Sequence, residues 1–234
     1  MQALYEDNHL IIVYKESGEI VQGDKTGDEP LSETVKGYLK AKYHKPGNVF
    51  LGVVHRLDRP VSGLVVFART SKALSRLNKM FRDGEVHKTY WAVVGSADLN
   101  MTRAESAAAG GDSWKTLTHW LVRNEKQNKS YAYEREVPGS KKAVLKYRVI
   151  GCGNRYSLLE VNLLSGRHHQ IRCQLAAVGL PIKGDLKYGA KRSNPDGGIS
   201  LLSHQVEFIH PVSKEPVSVV APLPPDSLFE KLSE

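Results

Sequence analysis

Cysteine is nearly absent. The 234 residues hold two, Cys152 and Cys173, each inside a patterned segment, and neither belongs to a paired motif. Two cysteines so placed argue against a disulfide framework and for a reducing compartment, the cytoplasm. No apolar run approaches the roughly 18 residues of a membrane span. The opening MQALYEDNHL lacks the basic-then-apolar order of a signal peptide. The nine histidines and two cysteines show neither CxxC nor HExxH spacing, so no zinc site is expected. GCGNRY is missing the third glycine of a dinucleotide fingerprint, and no Gly-x-Ser-x-Gly surrounds Ser62. Repeats, low-complexity tracts and linkers are missing too, which leaves a single domain over residues 1–234 as the expectation.

What is present is positive charge. Thirty-three Lys and Arg against twenty-five Asp and Glu give a formal +8. That balance suits a polyanion, with nucleic acid the commonest, although a basic protein need not bind one. Apolar periodicity adds a coarse map. HLIIVYKESG reads as a strand and tight turn, and SETVKGYLKAKYH as a helix ending in basic residues. GVVHRLD reads as a short strand entering a loop, and SGLVVFART as the strand leaving it. TSKALSRLNKMFRDG has a cap at Thr70 or Ser71, an apolar face of Leu74, Leu77 and Phe81, and a stop at Gly84. Strands follow at VHKTYWAVVG, LTHWLV, AVLKYRVIG and YSLLEVNLL, with a polar, glycine-rich mobile loop expected over 101–115. GRHHQIRCQLAAVG reads as a helix burying Ile171, Leu175 and Val178. LLSHQVEFIH, an edge strand at EPVSVVAP and a short helix after Pro225 close the chain. The class is α+β with a largely antiparallel sheet and few helices.

Three stretches carry chemistry. HRLDRPVSG sets Asp58 between Arg56 and Arg59 at a strand-to-loop junction, where neighbouring cations favour the charged carboxylate. An acid there also serves simply to cap a loop. In HKTYWAVV, strand alternation puts Lys88 and Tyr90 on one face. Tyr90 suits stacking on a base, and equally suits a core. In SGRHHQIRCQLAAVGLPIKGDLKYG, Arg172 lies four residues after His168 and three after His169, so helical spacing gives them a shared face. Such a face binds phosphate, holds a carboxylate, or is merely solvated.

Taken together and in order, these stretches resemble the RluA family of pseudouridine synthases. HRLDRPVSG is similar to its HRLD-x-x-[TS]-SG motif, HKTYW to its K-x-Y strand, and the third stretch to its GR-x-HQIR…G-x-PI-x-GD-x-x-YG block. DNHLIIVYKESG resembles the family's first strand and turn. The similarity runs from about residue 4 to about residue 222. It implies a mixed, largely antiparallel sheet with a central catalytic cleft, and isomerisation of uridine to pseudouridine in RNA without metal or organic cofactor. By the match, Asp58 would be the catalytic aspartate, Tyr90 would stack on the target base, and Arg172 would pair with Asp58. Arg56 would help to flip the uridine out. Arg59, Lys88, Arg167 and His168 join Arg56 as expected RNA contacts. Two positions depart from the family pattern: Val61 replaces its usual Thr, and His168 replaces the Thr of GRTHQIR.

A retaining glycosidase also uses a carboxylate nucleophile, but needs a second carboxyl about 5–5.5 Å away, and the spacing of Glu85 or Asp185 does not recommend either. A non-catalytic RNA-binding module explains the charge and leaves Asp58 unexplained. Many family members carry a small RNA-binding domain ahead of the catalytic one. This chain opens at the catalytic strand, so recognition of an rRNA or tRNA stem-loop is expected from the catalytic domain itself, acting as a monomer away from membranes.

Overall fold

The computed structural model describes residues 1–99 and 113–233. The greater part of the loop expected over 101–115 therefore lies outside the described residues. The backbone gathers into two compact units, Met1–Lys88 with Ser203–Ala221 and Thr89–Leu202 with Pro222–Glu234.

In the first unit β1 (Gln2–Glu6) pairs with β2 (Leu10–Lys15), and β2 with β4 (Ser62–Ala68). The two-residue β3 (Gly52–Val53) lies on the end of β4, and β10 (Leu201–Ile209) pairs with β11 (Pro216–Val220). All these pairs are antiparallel. β2 and β4 are buried along almost their whole length, as continuous β-branched runs demand. α1 (Leu31–Lys42) starts without a side-chain cap, and its first N–H groups go instead to the Ile20 and Val21 carbonyls. It buries Leu31, Val35 and Leu39. α2 (Ser71–Asp83) is capped by the Thr70 hydroxyl, which accepts from the Ala73 N–H at 3.2 Å. It ends at Gly84, whose φ of 77° is left-handed.

In the second unit the order is β5 (His87–Gly95), β9 (Tyr156–Leu163), β8 (Lys141–Cys152), β6 (Lys115–Asn124) and β7 (Lys129–Tyr133), antiparallel throughout. α3 (Gln170–Ala177) covers one face through Cys173, packed with Leu121, Ala143 and Tyr188. α4 (Leu228–Ser233) packs on β8 and β9. The class is α+β.

One helix is shorter than expected. His169 takes a left-handed φ of 52° and caps α3, so residues 166–169 form a turn and not helix. The helical spacing that joined His168 and His169 to Arg172 therefore does not apply. At the other end Val178 is the C-cap and is 40% exposed, against the expectation that it faces the core. The backbone turns away there into Gly179, φ 78°.

Candidate active site

The Asp58 turn belongs to the first unit and is built from three supports. Leu57 is buried, while Asp58 is half-buried and Arg56 and Arg59 are exposed, so one residue of the motif anchors it and the others face outward. The Asp58 carbonyl accepts the Val61 N–H at 3.0 Å and closes the turn over Arg59 and Pro60. His55 supplies the second support. Its Nε2 accepts the Val66 N–H of β4 at 3.0 Å, and its ring stacks on Phe81 of α2 at 4.9 Å. Burial, helped by the charge of Lys88, pulls its pKa down to about 3, so the accepting nitrogen stays unprotonated.

The third support is Lys15, the last residue of β2, which has no exposed surface. Its ammonium donates to the carbonyls of Glu16 (3.0 Å), Arg59 (3.1 Å) and Val61 (2.7 Å). Burial brings its pKa down to about 8, opposed chiefly by Glu19 and Asp58. The Gly18 N–H also donates to the Arg59 carbonyl at 2.8 Å. The β2 turn thus grips the Asp58 turn through main-chain atoms. Val61 is buried, and its carbonyl is one of the three held by Lys15, so a side-chain hydroxyl at 61 is not what fixes this loop. Gly63 follows at φ 114°, where a Cβ would lie 2.3 Å from the Ser203 carbonyl of β10. The glycine of the motif is a packing requirement.

Tyr90 and Arg172 belong to the second unit. Tyr90 is buried on β5 opposite Val161, which in turn faces Tyr147 on β8. Arg172 is buried on α3, and its Nε and Nη2 donate to the two carboxylate oxygens of Asp185 at 2.7 and 2.9 Å. This bidentate pair is the strong form of such a contact. The guanidinium also lies 5.1 Å from the Tyr188 ring centre. The Tyr188 hydroxyl accepts the Ser130 N–H at 2.8 Å and meets His169 Nδ1 at 3.0 Å. Burial and the nearby Arg172 charge take the His169 pKa down to about 2, so the ring that meets the tyrosine is neutral. The GDLKYG block is thus the platform under Arg172. Sequence reasoning missed Asp185 as its partner and Lys15 as the clamp. A lysine ending a fully apolar strand was the available signal for the second.

The expected RNA contacts divide. Arg56 and Arg167 are exposed, and Arg167 also donates to the Lys142 carbonyl at 3.1 Å. Arg59 is paired with Asp28 and bonded to Thr26 at 3.0 Å. Lys88 has its amine 5.2 Å from the Phe81 ring, with its pKa lowered by burial. His168 is stacked on His169 at 3.8 Å and tied to Ser130 and Asn128 at 2.9 and 3.1 Å. Position 168 thus fastens the turn before α3 to β7. Among the described residues no three His, Cys, Asp or Glu side chains gather into a metal-ligand set, and no helix is long and apolar enough to cross a membrane.

A family model described as RNA pseudouridylate synthase matches residues 9–177, well over half of the chain. The chain belongs to the RNA pseudouridylate synthase family. It is an RNA pseudouridine synthase, an isomerase. The matched stretch contains HRLD, HKTYW and HHQIR and stops before GDLKYG. Ribosomal large subunit pseudouridine synthase D of Xylella fastidiosa is 32% identical over 97% of this chain and 67% of its own length. Ribosomal large subunit pseudouridine synthase C of Vibrio cholerae is 30% identical over 94% of this chain and 65% of its own. The chain thus spans about two thirds of these relatives. Human RNA Pseudouridylate Synthase Domain Containing 4 shares the fold, with a TM-score of 0.74 at 20% identity over 96% of this chain and 89% of that one.

Proposed function

We propose that residues 1–234 act as one catalytic domain that isomerises specific uridines in a structured RNA, with large-subunit rRNA the first substrate to test and a tRNA stem-loop the second. The reaction breaks the C1′–N1 bond, turns the freed uracil, forms C1′–C5, and moves the C5 proton so that N1 regains one. Asp58 acts as the carboxylate, either as nucleophile or as base on the ribose C2′ proton. Tyr90 supplies the flat surface that keeps the detached base from leaving. Arg172 holds Asp58 ionised, a pairing that rests on the sequence match. Arg56 assists base flipping, and Arg59, Lys88, Arg167 and His168 line the RNA path. The working state is a monomer in the cytoplasm.

The observation that supports this most directly is the Asp58 turn, where Lys15 collects three carbonyls and Gly63 admits β10. A loop cap needs no such main-chain clamp, whereas a reacting carboxylate must not move. The names of the curated relatives favour rRNA. The test is tritium release from 5-tritiated uridine in rRNA and tRNA, with Asp58→Asn beside the parent. The variant is expected to lose release altogether and to keep RNA affinity within about a few-fold, since the amide preserves size and removes charge. Release by Asp58→Asn at the parent's rate would remove Asp58 from the mechanism.

A further inference from the structure

The sheet of the second unit has a face that the chemistry above does not use. On β6, Trp120 stands opposite Tyr133 of β7 and Lys142 of β8. Val122 stands opposite Tyr131, and Thr116 opposite Lys146. Residues directly opposite in an antiparallel pair share a face, so Trp120, Tyr131, Tyr133, Lys142 and Lys146 stand together. The opposite face is occupied, since Leu121 and Ala143 pack there beneath α3. Tyr90 lies on that occupied side, because its ladder runs through Val161 to Tyr147, an odd-numbered β8 position like Ala143.

The open face is both aromatic and cationic. Tyr131 and Tyr133 are 39% and 42% exposed. The Tyr131 hydroxyl donates to Gln127 at 2.5 Å, which holds its ring in place. The Lys142 ammonium lies 6.0 Å from the Trp120 ring, and Lys129, at the sheet edge, lies between the rings of Tyr131 and Tyr188 at 5.5 and 5.2 Å. Across this face of β6, β7 and β8 there is no carboxylate. Alternate residues on a strand are about 6.6 Å apart, so each tyrosine has room for its own base.

We propose that Trp120, Tyr131 and Tyr133 form a stacking platform for unpaired RNA bases, with Lys129, Lys142 and Lys146 taking the phosphates. Aromatic rings on a sheet flanked by cations are a sequence-tolerant way to hold single-stranded RNA. A second copy of this chain fits poorly, because a two-fold contact would press the same lysines together, and the acid that β9 adds to this face, Glu160, is already paired with Arg148 at 3.1 Å. The platform lies behind Tyr90, so it holds nucleotides flanking the target and not the target itself. This inference rests on the RNA-modifying reading above.

The probe is a labelled twelve-residue oligoadenylate, which has no uridine to isomerise, titrated with the full chain and followed by fluorescence anisotropy. The Tyr131→Ser/Tyr133→Ser pair is expected to bind it at least about tenfold more weakly than the parent, the order expected for lost base stacking. Tyr131→Phe/Tyr133→Phe should retain the parent's affinity, and Asp58→Asn should change nothing. Tritium release from a short uridine-containing stem-loop should continue in the serine pair. Equal affinity of parent and serine pair, or no binding by the parent, overturns the platform while release by the parent upholds the enzyme. A parent that sediments as a dimer beside a monomeric serine pair also overturns it, in favour of a contact between copies. If the parent releases no tritium from any RNA, the enzymatic reading falls, and the oligoadenylate comparison still decides the platform.

Discussion

At the scale of single residues, Lys15 shows how a charge is tolerated where no water reaches it. Lysine is almost never fully buried unless its donors are taken, and here all three go to carbonyls on two neighbouring turns. Lys15→Met keeps the length and removes every donor, leaving main-chain acceptors unmet. A loss of about 2–3 kcal/mol in urea unfolding is expected. Turnover should fall more than substrate affinity, because the turn that loosens carries Asp58 and not the exposed Arg56. An unchanged urea midpoint would mean that the clamp adds nothing. Arg172 poses the complementary case. Its partner Asp185 is buried with it, so Arg172→Met strands a carboxylate and should cost about 3–5 kcal/mol. Asp58→Asn, at a half-buried position, should leave stability nearly untouched. Comparing the two variants by urea titration checks this, and equal midpoints would show that the Arg172–Asp185 pair is not structural.

At the scale of elements, what the sequence revealed follows from burial. α2 was legible because a cap, an apolar stripe and a stop coincide in Thr70, Leu77 and Gly84. β2 and β4 were legible as interior strands with apolar residues on both faces. β1 and β7 were not, because each lies at one end of the strand order within its own unit, and short edge strands carry no apolar run. The extent of α3 was misjudged because nothing in GRHHQ announces a left-handed histidine. Asp185 escaped for another reason: it meets Arg172 from a loop thirteen residues away, where no periodicity applies. Asp58, Tyr90 and Arg172 were named from motif order, and their joint action is still to be measured. The junction of turn and strand at Gly63 gives an element-scale test. Gly63→Ala meets both a positive φ and the β10 backbone, so neither relaxation is cheap. A fall of about 2–4 kcal/mol in stability is expected, with loss of activity even under conditions where the variant is fully folded. A variant with the parent's stability would mean that β10 can move aside.

At the scale of the whole molecule, the histidines set how the fold meets acid. Burial takes the pKa of His55 down to about 3, of His169 to about 2 and of His204 to about 4. The unfolded chain protonates each near 6.5. Between these values the unfolded state holds up to three more protons on these rings than the folded one, and His119, whose pKa burial also lowers, acts in the same direction, so stability falls as pH falls. The contribution is complete above pH 6.5 and drains away as the pH drops, toward 4 for His204, 3 for His55 and 2 for His169. Three protons correspond to at most about 4 kcal/mol per pH unit near pH 5, and solvent at the half-buried His55 and His204 trims that figure. Glu6 and Asp7, whose carboxyls are held below their ordinary range by hydrogen bonds that outweigh burial, add to the loss only further down. The net +8 of the chain adds self-repulsion in the same direction. Urea midpoints measured at pH 7, 6 and 5 should therefore decline well before the carboxylates titrate. His55→Asn, which offers an uncharged amide in place of the accepting nitrogen, should flatten the slope by up to one proton in three. A midpoint constant from pH 7 to 5 would show that these rings reach water and titrate normally.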